Sequence, residues 1–145
     1  MTRPGVGLYG GFPYSDAQAV VRLSLPVIQT REVAVGETVG YSASWRAERP
    51  SKIATLSAGY ADGITRALSN AAILYAGDTP CPLAGRVSMD LLTVDVSHLD
   101  QMPSHLDLLC PAQTVDQVAE LGGTIGYEIL TSLGHRYERQ YSGQE

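Results

Sequence analysis

Lysine is nearly missing from this chain. Lys52 stands alone against nine arginines, at positions 3, 22, 31, 46, 49, 66, 86, 136 and 139. Any chemistry that needs a lysine amine from this sequence has one candidate, set in "RPSKIATL", where a solvated residue at a strand start is the plain reading. Basic blocks are missing too: fifteen acids outweigh ten bases, for a net charge of −5. That balance makes a poor nucleic-acid surface. No apolar run approaches the ~20 residues a membrane helix requires, and no charged-then-apolar leader is visible. The expectation is a soluble, cytoplasmic protein. Cysteine is scarce, and Cys81 and Cys110 form no CxxC or Cys/His ligand spacing. Histidines 98, 105 and 135 likewise lack metal spacing. Two buried, reduced thiols and no metal site are expected.

What is present is a succession of short strand signals. Residues 1–14, "MTRPGVGLYGGFPY", are rich in glycine and proline and read as a connector or strand-and-turn. "RLSLPVIQTREV" alternates in part and carries Pro26, which predicts an edge or bulged strand. "AVGETVGY" reads as a turn at Gly36 between two short strands, and "KIATLSAGY" as a further strand before the loop "ADGITRALSN". "AAILYAGDTPCPLAGRV" carries a hairpin signal around "GDTP". "LLTVDVS" alternates with Leu92, Val94 and Val96 on one face, and "SHLDLLC" reads as one more strand. "TVDQVAELGG" is a helix, with Thr114 as N-cap, Gln117 in capping-box spacing and Gly122 or Gly123 as the stop. "TIGYEILTSLG" reads as a second short helix closed by Gly134, and "HRYERQYS" as a last strand. The chain of 145 residues is long enough for one domain. Short strands with frequent turns and two late helices predict a mainly β fold, a small Greek-key-like β-barrel.

"GETVGYSASW" (36–45) raises a separate question, because small residues surround one phenol, Tyr41. Two readings stand at this point. Either Tyr41 is a strand-end residue with Gly40 serving the turn, or the backbone is kept lean so that the phenol reaches a ligand.

Five pieces line up in order: "RPGVGLYG" (3–10), "VGYSASW" (39–45), "GYADGITRAL" (59–68), "GRVSMD" (85–90) and "TIGYEI" (124–129). Singly each is weak. Together, over essentially the whole chain, they resemble the C-terminal portion of the pyridoxal-phosphate-dependent alanine racemases. The resemblance implies residues 1–14 as the end of a cofactor-bearing (β/α)8 barrel and residues 15–145 as the C-terminal β domain. It implies a head-to-tail homodimer in which this domain completes the site of a partner subunit's barrel, acting on alanine to supply D-alanine for the cell wall.

Residue by residue, Tyr41 matches the tyrosine that exchanges a proton on one face of the α-carbon while a lysine works on the other. A free phenol titrates near ~10, so a tyrosine base needs help near neutrality, and the family's arginine for this role belongs to the barrel. Met89 matches a residue whose backbone N–H meets the substrate carboxylate, with Asp90 as a supporting acid. Tyr60, Arg66, Arg86 and Ile125 match residues lining the substrate's approach. Tyr127 matches a tyrosine whose hydroxyl binds the cofactor phosphate, Gly5 and Val6 match phosphate-holding backbone N–H groups, and Arg3 matches the arginine facing the pyridine nitrogen.

The departures are equally specific. The family's Schiff-base lysine precedes the "RPG" motif, and Lys52 follows it in a segment that does not match, so it is not taken as that lysine. Gly126 stands where asparagine is common, which would loosen the start of the second helix. Met1 just before "TRPG" reads as the start of a cut domain or fragment, expected to be catalytically incomplete alone. Two alternatives remain beside the racemase reading: a non-catalytic dimerisation or binding module of the same fold, and a domain from a racemase preferring serine or other amino acids.

Overall fold

Pro26 lies where the longest strand changes partners. In the computed structural model, which describes residues 1–3, 5–14 and 16–143, β1 runs over Leu23–Val33. Its first part pairs with β8 (His105–Leu109) and its second with β4 (Ser51–Leu56), with register shifts at Leu23/Ser24 and Val27/Gln29. The expected bulge is there, but the strand is central and not an edge. A residue without N–H is tolerated because it sits at the handover, where its carbonyl accepts from Ser57 N–H at 3.1 Å.

The hairpin of β5 (Ile73–Ala76) and β6 (Thr79–Pro82) joins β8 on the other side, and β7 (Leu92–Asp95) joins β4. The order is β6-β5-β8-β1-β4-β7, every pair antiparallel. A bridge between Leu83 and Val94 links the chain after β6 back to β7 and nearly closes the sheet into a barrel. Leu25, Leu56, Leu74, Leu92, Val94 and Leu106 fill its interior.

One strand is buried on both faces. Ala54 and Leu56 of β4 point into the barrel, whereas Ile53 joins Val33, Val39, Ala47 and Ala84 in a second, outer cluster. The small hairpin of β2 (Thr38–Val39) and β3 (Trp45–Arg46) supplies Val39 to that cluster, with Trp45 packed against it. This hairpin therefore lies against the outside of the barrel wall.

α1 (Val115–Leu121) has Thr114 as N-cap in a reciprocal capping box with Gln117, and Gly122 ends it. α2 (Gly126–Ser132) packs beside α1, and a Cβ on Gly126 would come within 3.0 Å of Asp116 Oδ1. The helix starts at Gly126, where the glycine lies close against α1.

Two expectations are corrected. Residues 5–9 form a 3-10 helix (Gly5–Tyr9) in place of a strand or open connector. "HRYERQYS" forms no strand. Its alternation is real, but the segment pairs with no strand, and Arg136 turns instead to Asp62 and Asp90. Cys81 and Cys110 are buried and free, as expected. No helix among the described residues is long and apolar enough to cross a membrane.

Candidate active site

Antiparallel pairing places several of the candidate residues at one end of the barrel. Leu56 pairs with Leu92, so the chain leaving β4 toward Gly59 and the chain entering β7 from Asp90 emerge side by side. Ser88–Leu91 is a tight turn, held by Ser88 N–H and Oγ on the Leu91 carbonyl, with Met89 and Asp90 exposed at its tip. The 3-10 turn Tyr60–Asp62 docks on it: Tyr60 N–H donates to Ser88 O at 2.9 Å and Ala61 N–H to Met89 O at 3.0 Å.

The preceding residues, Gly85–Val87, hold two further segments. Asn70 N–H donates to Gly85 O and Gly85 N–H to Asn70 Oδ1, both at 3.0 Å, while Ser69 Oγ accepts from Val87 N–H. These bonds fix the 3-10 turn Arg66–Leu68, from which Arg66 is exposed. The tip of the β2–β3 hairpin meets the same stretch, with Arg86 N–H donating to Ser44 Oγ at 3.1 Å. Gly40 has φ +79, and a Cβ there would lie 3.3 Å from Gly85 Cα. The glycine thus serves the turn and a close approach of backbones together. Tyr41, the next residue, is 67% exposed at the hairpin tip.

The turn in "GETVGYSASW" uses its glycine, and the Tyr41 phenol is left projecting into solvent. The structure brings Tyr41, Tyr60, Arg66, Arg86, Met89 and Asp90 onto segments gathered around residues 85–91.

Sequence reading missed the residues that tie this rim together. Arg136 Nη1 meets Asp90 Oδ1 at 2.8 Å and its Nε meets Asp62 Oδ1 at 3.2 Å. The hydrogen bond with Asp90 and the charge of Asp62 push the guanidinium above its ordinary range. Asp62 is buried, and its Oδ2 accepts Gly59 N–H at 2.9 Å. Asp62 lies inside "GYADG" and could have been suspected. Arg136, in the misread "HRYERQYS", carried no local signal.

Tyr127 belongs to a second grouping. It lies in the first turn of α2, after the exposed Ile125, and Val6 N–H donates to its Oη at 3.0 Å. A Cβ on Gly5 would fall 2.0 Å from that oxygen, so only glycine leaves room for the phenol. Phe12 N–H donates to Asp116 Oδ2 at 2.9 Å, a second tie between the N-terminal segment and the helices. Beside them opens a groove of about 560 Å³ lined by Val6, Phe12, Asp116, Ile125 and Tyr127 among others. Arg3 is exposed two residues before Gly5. The phenol, rather than open space, fills the room left at Gly5, and the Val6 N–H is taken up by it.

Lys52 stands apart from the rim, on the far part of β4, with its N–H on Ser97 Oγ at 2.8 Å. Among the described residues no group of three or more His, Cys, Asp or Glu is placed to hold a metal ion.

A family described as "Alanine racemase, C-terminal domain" matches residues 20–141. The chain belongs to that family. The alanine racemase of Dinoroseobacter shibae is 71% identical over 143 residues, covering 99% of this chain and 41% of that protein. The biosynthetic alanine racemase of Pseudomonas aeruginosa superposes with a TM-score of 0.88 at 42% identity, covering 96% of this chain and 41% of that one. The alanine racemase of Bartonella henselae, solved with covalently bound pyridoxal phosphate, gives 0.87 at 41% identity, covering 94% of this chain and 40% of that one. This racemase C-terminal domain therefore spans about two-fifths of the length of its relatives.

Proposed function

We propose that this chain is the C-terminal part of a pyridoxal-phosphate-dependent alanine racemase interconverting L- and D-alanine. Residues 1–14 are then the tail of the cofactor-bearing barrel and residues 15–145 the β domain. The observation that carries this reading is the gathering of Tyr41, Tyr60, Arg66, Arg86, Met89 and Asp90 around one stretch of backbone. The Tyr127 hydroxyl seated against Gly5 and Val6 supports it from the other grouping.

Racemisation removes the α-proton on one face and returns a proton on the other. The cofactor, when bound, supplies an electron sink for the carbanion at the α-carbon. Tyr41 Oη holds and moves the proton on its face, and the lean hairpin tip allows its approach. Met89 N–H binds the substrate carboxylate, and Asp90 supports that turn. Tyr60, Arg66 and Arg86 line the approach from the rim, where the two guanidinium groups draw in a carboxylate-bearing molecule, and Ile125 lines it from the Tyr127 grouping. Tyr127 through its hydroxyl, Gly5 through its backbone and Val6 by way of the phenol it supports would hold the cofactor phosphate. Because Val6 N–H already donates to Tyr127 Oη, the phenol keeps its own O–H to donate onward. Arg3 would face the pyridine nitrogen of the bound cofactor, where its permanent positive charge would disfavour protonation of that nitrogen. The opposing lysine comes from a barrel, since Lys52 lies away from the rim. The rim serves the barrel of a partner subunit in a homodimer.

Tyr41→Phe in the full-length protein tests this reading through deuterium exchange at the α-carbon of each alanine enantiomer. Exchange from one enantiomer should fall by ~10²–10⁴ while the other retains more, with cofactor binding near normal. Equal loss from both enantiomers, or no loss, removes Tyr41 from the role of base.

A further inference from the structure

Arg136 lies in none of the motif pieces, yet it joins two of the turns that carry site residues. One guanidinium reaches Asp62, on the Tyr60 turn, and Asp90, on the Met89 turn. The two acceptors differ: the Asp62 side chain is 8% exposed and that of Asp90 is 51% exposed. Asp62 is held from its own side by Gly59 N–H. The chain leaving α2 is anchored to the same turn, because Gly134 N–H donates to the Asp62 carbonyl at 3.1 Å two residues before Arg136.

We propose that Arg136 is a positioning residue: it holds the Tyr60 turn and the Met89–Asp90 turn in one register, so that phenol and backbone meet the substrate together. This inference rests on the racemase reading above. Without the cation, two carboxylates confront each other across the same gap, one of them buried. Their repulsion drives the turns apart, while the core beneath and the Tyr60–Ser88 and Ala61–Met89 backbone bonds keep the fold. Arg136 is itself 57% exposed, so its contribution lies in geometry more than in stability. An arginine suits the task because its rigid fork reaches two acceptors, which an ammonium point charge serves less well.

The test uses the full-length enzyme with Arg136→Gln, Arg136→Lys and the double variant Arg136→Gln/Asp62→Asn, each checked for its melting temperature. Arg136→Gln should raise KM for alanine by roughly tenfold with kcat changed much less, since misregistered turns weaken ground-state and transition-state binding alike. Arg136→Lys should recover part of the loss by keeping the charge, and the double variant should recover part by removing the repulsion. A folded Arg136→Gln enzyme with wild-type KM overturns the role. So does a loss of activity that merely tracks a lowered melting temperature, or one that neither second variant relieves. A wild-type protein that racemises no alanine overturns the racemase reading and this inference with it. An active wild type with unchanged KM in Arg136→Gln sinks the inference alone.

Discussion

Two tyrosines of this chain live under opposite constraints. Tyr41 projects from a hairpin tip, whereas the Tyr137 hydroxyl is buried with no hydrogen-bond partner among the described residues. Burial, and then the charge of Asp62, push the Tyr137 phenol well above its ordinary range, against a smaller opposing pull from Arg136. The unfolded phenol ionises near ~10, and the folded one resists ionisation beyond that. The neutral hydroxyl is thus favoured in the folded state, and the associated stability is complete below that pH and lost as pH rises through the raised folded value. Tyr137→Phe should accordingly leave stability at neutral pH unchanged or raise it by up to about 1 kcal/mol, since no hydrogen bond is lost. It should also remove part of the alkaline decline. Denaturant melts at neutral pH and above the ordinary tyrosine range check both. A clear destabilisation at neutral pH would mean that the hydroxyl is bonded.

The helices show how far a local signal carries. Thr114 and Gln117 sit three apart, and the structure makes both reciprocal bonds of the capping box, Thr114 N–H to Gln117 Oε1 at 2.7 Å among them. Thr114→Ala should cost about 1 kcal/mol of unfolding free energy in denaturant melts. The same change loosens the base of α1, from which Asp116 holds Phe12. An unchanged midpoint would show that the cap is redundant. "LLTVDVS" was equally legible, since alternation with one buried face is a property of the strand alone. "HRYERQYS" alternates as well and is no strand, because alternation alone does not supply a pairing partner. Pro26 erred for a related reason: a proline marks a missing ladder bond without telling whether solvent or a change of partner accommodates it.

Across the whole molecule, the near-closed barrel carries the rim around residues 85–91 at one end, with Lys52 on the far part of β4. That placement leaves the lone lysine away from the rim. The chain mixed with pyridoxal phosphate should retain no visible absorbance after dialysis, and borohydride reduction should label no lysine specifically. A stable reduced adduct mapped to Lys52 would contradict the separation.

Much of this protein was written in local patterns. Strand alternation, the "GDTP" hairpin, the capping box and the order of the tyrosine-bearing pieces each depend on residues a few positions apart, where backbone preference and spacing act directly. They led to the β-barrel and to the family. What no local pattern could give was which loops share a rim. The turn bearing Tyr41 meets residues 85–86, through Gly40 and Ser44, because its hairpin packs on the outer face of β4 through Val39 and Ile53. Arg136 meets Asp62 and Asp90 because α2 returns the chain to the Tyr60 turn. Contacts between residues so distant in sequence are set by barrel closure and by charge pairing across the folded surface.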